Sequence, residues 1–181
     1  MSKPDTPPFS HLVEVSAIPR GGLDVRLEVD EAARARIARD IRIPAVSTLA
    51  ARLHIAPTPG GGARVTGQLQ ARVVQVCVVT LEPFESAVRE EIEVDYAEAG
   101  AAEADDVSPG EEIEITDLDA PDSIVDGRID VGAVTAEFLA LALDPYPRKP
   151  DARLDFEEPD ERAASPFAAL KALARPEREE T

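Results

Sequence analysis

The sequence predicts an α+β fold: an antiparallel five- to six-stranded sheet or partly closed barrel, two packed helices, and a short C-terminal helix. Three observations predict it. Apolar residues alternate with polar ones in several stretches between residues 12 and 94, the period of a half-buried strand. Helical spacing shows in 31–42 and 131–143, and again in a short stretch near the C-terminus. Apolar residues make up 44% of 181, enough for one buried core and hence one domain, placed at 9–146.

Each element follows in order. Residues 1–8 are polar and Pro-rich and are expected to be disordered. Leu12, Val13 and Val15, a Pro19-Arg20-Gly21-Gly22 turn, and Leu23, Val25, Leu27 and Val29 at period two read as a β-hairpin. Asp30 is a good N-cap for a helix reaching about Arg42, with Ala33, Ile37 and Ile41 on its core face and Arg36, Arg39 and Arg42 turned away. Leu49, Ala51, Leu53 and Ile55 form a third strand, and Pro59-Gly60-Gly61-Gly62 turns it into a fourth, 65–80. That strand becomes apolar on both sides over 73–79, which implies a sheet centre covered on both faces. Pro83 breaks it, and 87–96 returns as a strand carrying Val88, Ile92 and Val94.

Residues 97–111 are small and acidic, a loop, and Ile113 and Ile115 suit a short edge strand. Asp126-Gly127 is a turn. Asp130 caps a helix through Leu143 whose core face is Val131, Val134, Phe138 and Leu141. Residues 147–164 read as a charged Pro-rich linker. Ser165-Pro166 starts a last amphipathic helix, 165–175, with Phe167 and Leu170 on one stripe, and 176–181 is a disordered tail. So short a helix cannot hold itself together in water and must dock, in cis or in trans.

Charge narrows the function. The formal net charge is −17, which repels phosphate and argues against a protein that coats nucleic acid with its whole surface. Residues 1–80 hold 10 basic and 7 acidic groups; residues 81–181 hold 9 and 29. From 90 to 126 there are fifteen carboxylates and no Lys or Arg, an electrostatic landing strip for something basic. The residues assigned to it are Glu111, Glu112, Glu114, Asp117 and Asp119, with Phe167 and Leu170 as an apolar anchor for the same partner. Arg36, Arg39 and Arg42 are the RNA-facing candidates, joined by Arg34, Arg52 and Arg72 in one basic patch. Five Phe, two Tyr and no Trp leave no stacking platform for single strands, so structured RNA is the expected nucleic-acid ligand.

Catalytic constellations are missing from the sequence. His11 and His54 have no Ser or Cys elbow beside them, and Cys77 lies in an apolar Val76-Cys77-Val78 context that reads as core filler without a depressed pKa. The Gly60–Gly67 stretch lacks the Gly-Lys-Ser/Thr ending of a phosphate loop. Asp117, Asp119, Asp122 and Asp126 fail as a calcium loop because Pro121 and Asp122 occupy its fifth and sixth positions. No enzyme, cofactor, metal or small-molecule substrate is expected. The start MSKPDTPPFS has no apolar core of a signal peptide, no run could span a bilayer, and a lone cysteine gives no intrachain disulfide, so a cytoplasmic protein without membrane contact is expected.

Four segments carry a resemblance. They are Gly67-Gln68-Leu69-Gln70-Ala71 leading to Gln75-Val76-Cys77-Val78-Val79-Thr80-Leu81-Glu82-Pro83-Phe84; Ile124 to Gly132; Glu137 to Arg148; and Ser165-Pro166-Phe167-Ala168-Ala169-Leu170. In this order they resemble the YceD family of large ribosomal RNA subunit accumulation proteins, in its alphaproteobacterial branch, over about residues 9–174. The resemblance implies a non-enzymatic ribosome-assembly factor that supports synthesis, processing or stability of large-subunit ribosomal RNA. Its partners would be a basic large-subunit ribosomal protein, ribosomal RNA precursor, or both. The alternative is an acidic chaperone or adaptor unrelated to ribosomes. Many relatives carry a second cysteine three positions after the first and more near the C-terminus, suggestive of metal binding; here Thr80 and Pro147-Arg148-Lys149-Pro150 stand there. One thiol cannot make a structural zinc site, so a metal-free variant is expected.

Overall fold

In chain order the elements are β1 (Leu12–Glu14), a 3-10 turn (Val15–Ala17), β2 (Leu23–Glu28), α1 (Glu31–Asp40), β3 (Ala45–Pro57), β4 (Ala63–Val76), β5 (Pro83–Glu98), β6 (Asp122–Ile124), β7 (Arg128–Asp130) and α2 (Val131–Leu141). They come from a computed structural model that describes residues 7–98 and 120–153.

Period-two patterning in 45–98 builds three long strands joined by tight turns, and their register fixes which side is buried. Leu53 pairs with Gly67 and Gly67 with Ile92; Leu49 pairs with Ala71 and Ala71 with Val88. Partners in an antiparallel ladder share a face, so these rows make one apolar side. Both helices cover that side. α1 brings Ala33, Ile37 and Ala38, and its N-terminus is closed by Asp30 Oδ1, which accepts from Ala33 N at 2.7 Å. α2 brings Val131, Val134, Thr135 and Leu139 to a core that includes Leu69, Ile92 and Ile129. Among the described residues no helix lies on the opposite side of the sheet, and its side chains are mostly charged or amide.

Several expectations need correction. The sheet is neither purely antiparallel nor a partly closed barrel: its order is β2-β3-β4-β5-β6, and β5 runs parallel to β6. With β2 and β6 at opposite edges, no strand among the described residues closes it. The N-terminal hairpin does not form either. β1 pairs with β7, Leu12 opposite Asp130 and Val13 opposite Ile129, as a separate two-stranded ribbon. Asp130 explains the choice. Its carboxylate accepts from His11 N (2.8 Å) and Ser10 Oγ (2.6 Å), and from Gly132 N (3.1 Å) and Ala133 N (3.0 Å) of α2. One side chain therefore caps the helix and pins the N-terminal segment across it. Gly132 permits this, since a Cβ there would stand 2.5 Å from His11 N.

The doubly covered strand over 65–80 is also wrong. β4 stops at Val76, and a turn follows in which Leu81 N donates to Cys77 O (2.9 Å). β4 is the central strand of the sheet, as expected, but Val76 and Val78 are exposed, so the end of the apolar run leads into a turn and is not covered on both faces. Pro83 begins β5 and does not merely interrupt the chain; a strand's first residue is one of the positions where a missing N–H costs little. α2 ends at Leu141, which is 73% exposed, while Leu139 is fully buried: the helix is rotated from the predicted face. Ile113, Ile115, the 97–111 loop beyond Glu98, the linker beyond Arg153 and the 165–175 helix lie outside the described residues.

Candidate functional site

The arginines divide into three groups. Arg36 and Arg39 are exposed on α1, where Arg36 Nε donates to Pro8 O (2.9 Å) and Arg39 Nε to Ala35 O (3.2 Å). Arg42 lies beyond the C-cap Ile41, with φ 58°, so it belongs to the turn and not to the helix. Arg34 points elsewhere: it is half-buried, and Nη1 donates to Val29 O at 2.6 Å. It joins Arg72 and Arg89 along a shallow depression of about 490 Å³ that also touches Glu28 and Gln70. The basic patch expected from six arginines is thus split between α1 and the uncovered side of the sheet.

On that side the strand register interleaves opposite charges. Arg64 makes a two-pronged contact with Asp95 (2.6 and 2.7 Å), which raises the guanidinium's pKa and lowers that of the carboxylate. Arg72 donates to Glu85 (2.8 Å) and, with help from Ser47, holds that carboxyl below its usual range. His54 meets Asp24 at 2.8 Å. One row is different: Arg26 sits directly across from Arg52, a like-charge pair with no carboxylate within 4 Å among the described residues.

A second surface lies where β1, β7, β6 and α2 meet. Tyr96, Ile129 and Val134 form the floor of a groove of about 470 Å³. Leu12 (56% exposed) and Val125 (67% exposed) stand at its edge as apolar side chains open to water. Asp122, Asp126, Asp130 and Glu137 also line it, against one cation, Arg128. Arg128 is turned toward Glu14, its Nη2 3.7 Å from Oε1. Val125 owes its exposure to the Asp126-Gly127 turn, both residues at positive φ (51° and 70°), which folds the chain back into β7. Tyr96 is only 8% exposed; burial first, and then the charges of Asp122, Glu137 and Asp130, push its phenol well above the ordinary value.

The Cys77 turn is the third feature. Sγ accepts from Thr80 N (3.5 Å) and from Lys149 N (3.4 Å), and Val78 N donates to Pro147 O (2.9 Å), so residues 147–149 cross the turn. Lys149 Nζ donates to Glu82 at 2.9 Å on the outside. Hydrogen bonding from Thr80 and then from the Lys149 backbone N–H brings the thiol down to about 6 against the upward push of burial. Cys77 is buried as expected, but its pKa is depressed, contrary to the reading from nearby cations alone. The donors come from the turn itself and from a segment 72 residues away.

Glu111, Glu112, Glu114, Asp117, Asp119, Phe167 and Leu170 all lie outside the described residues. The groove residues Tyr96, Val125 and Glu137 were not singled out by sequence. Val125 and Glu137 fall in two of the segments that carry the family resemblance, and the Val125-Asp126-Gly127-Arg128 turn was a further signal, whose significance depends on what packs beside it.

A family model described as large ribosomal RNA subunit accumulation protein YceD matches residues 65–174, more than half of the chain. The chain belongs to the YceD family. The matched region takes in the Cys77 turn and every groove residue except Leu12, and leaves out α1 with its arginines. No curated protein and no solved structure matches the sequence.

Proposed function

We propose that this YceD-family chain is a cytoplasmic, non-enzymatic ribosome-assembly factor. It supports the synthesis, processing or stability of large-subunit ribosomal RNA by binding a basic ribosomal protein, the RNA, or both. The observation that carries this reading is the family match over 65–174. The charge pattern supports it: an acidic region spanning 90–126 suits a cationic partner, and Arg36, Arg39 and Arg42 are available to phosphate. Within this reading, Glu111, Glu112, Glu114, Asp117 and Asp119 shield the basic protein while Phe167 and Leu170 anchor it.

Depletion of the protein, followed by sucrose-gradient analysis, tests the proposal. The expected result is a fall in large-subunit ribosomal RNA relative to small-subunit RNA, with the tagged protein migrating beside precursor large subunits. Unchanged RNA and a protein that stays at the top of the gradient would favour an acidic adaptor without a ribosomal role. Attraction of this kind weakens steeply with salt, so captured partners should be lost between low and high ionic strength.

A further inference from the structure

We infer that the groove bounded by β1, β6–β7 and α2 is a docking site for a basic polypeptide segment carrying an apolar side chain. The inference rests on the reading that the chain binds a cationic protein, and it places that contact at Asp122, Val125 and Asp126, inside the acidic 90–126 stretch, together with Leu12 and Glu137 outside it. Two features of the groove are complementary to such a segment. Leu12 and Val125 offer apolar surface at the edge of a depression of about 470 Å³, with the nearly buried Tyr96 ring at its base. Asp122, Asp126 and Glu137 surround that surface with negative charge, and Arg128, the one cation among the lining residues, is drawn off toward Glu14. Burial first, and then the charges of Asp122, Glu137 and Asp130, raise the Tyr96 phenol at the base of the groove.

Other occupants fit worse. Phosphate of RNA would meet uncompensated carboxylates. A second copy of a chain with net charge −17 would be repelled. Of the chain's own segments, 99–119 has the wrong sign, with eight acidic and no basic residues; 165–175 holds Lys171 and Arg175 and no acidic residue but follows five carboxylates in 155–161, and a groove it already filled would show no peptide binding by the full chain. A cationic segment with an apolar anchor gains both from burying Leu12 and Val125 and from the carboxylate rim.

The test uses the full chain and a synthetic dodecapeptide with two leucines set among lysines and arginines, followed by fluorescence anisotropy. A twin peptide replaces the leucines by serines. Val125→Ser and Glu137→Lys alter exposed groove positions that the fold does not need, and Glu91→Lys makes the same charge change on the open sheet. The leucine peptide is expected to bind about tenfold more tightly than its twin, and to lose about tenfold in Kd with either groove variant but less than about twofold with Glu91→Lys. No binding, equal binding of the two peptides, or equal loss at Glu137 and Glu91 overturns the proposal. Groove binding without gradient co-migration would overturn the ribosomal reading alone; co-migration that survives both groove variants would overturn the groove alone.

Discussion

The open face of the sheet and the groove beside α2 use the same kinds of charged side chain in opposite arrangements. On the sheet, β4 comes from the more basic half of the sequence and β5 from the acidic half, and antiparallel pairing lays one against the other. Arg64 therefore meets Asp95 and Arg72 meets Glu85, so most of that charge is neutralised where it stands. In the groove four carboxylates share one arginine, and that arginine leans toward Glu14. Among the described residues, the charge imbalance along the sequence is redistributed by strand pairing. Pairing cancels most of it on the sheet, while the groove keeps a surplus of negative charge to offer a partner.

The strongest way to break this contrast is to remove the packing that forms the groove. Leu139→Ala should cost about 3 kcal/mol in denaturant unfolding because Leu139 is fully buried on α2, whereas Leu141→Ser, at an exposed position, should cost almost nothing. Asp130→Ala should cost about 2 kcal/mol, since it unties both the helix cap and the His11–Ser10 segment. Hydrogen exchange should then rise in β1 and α2 while β3 and β4 stay protected.

The two regions should also fail at opposite ends of the pH scale. Glu85 and Asp95 have lowered pKa values, so their contribution is present above the unfolded values near 4 and is lost as pH falls through the folded ones. Tyr96 has a raised pKa, so its contribution is full below the unfolded value near 10 and is lost as pH climbs beyond it. Exchange measured across pH should open the β4–β5 face in acid and the Tyr96 end in alkali; the reverse order would contradict the assignment.

Cys77 gives a sharper local reading. Thiolate absorbance should titrate near pH 6 in the folded chain and return to the range near 8.5 in denaturant. The stabilisation it provides is full above the unfolded value and disappears as pH drops through about 6. The smallest expected effect belongs to the Arg26–Arg52 pair of the sheet. Arg26→Thr removes the like-charge opposition to Arg52 and should raise stability by about 0.5 kcal/mol, detectable as a small increase in Tm.

What the sequence made legible was local. Asp30 and Asp130 were readable as helix caps because the cap donors lie within three residues, and β3 to β5 because alternation and short turns force neighbours to pair. What it hid was set by partners far away. The Leu12–Val15 stretch has the same alternation whether it pairs with β2 or with β7, and the decision falls to Asp130, 119 residues beyond His11. The buried side of α2 is a matter of slight rotation, decided by whether Leu139 or Leu141 meets the sheet. The groove and the depressed thiol were illegible for the same reason. Exposure at Val125 and hydrogen bonding at Sγ depend on segments that only the tertiary fold brings alongside.

The β1–β7 ribbon has a consequence for biosynthesis. His11 is made 119 residues before the carboxylate that fixes it, a delay on the order of ten seconds at ordinary elongation rates. Over that interval the long hairpins of the sheet can zip up as they emerge, but the Leu12 wall of the groove has nothing to lean on. A partner that recognises the completed groove will therefore meet only chains whose translation has passed α2, and nascent fragments will go unengaged.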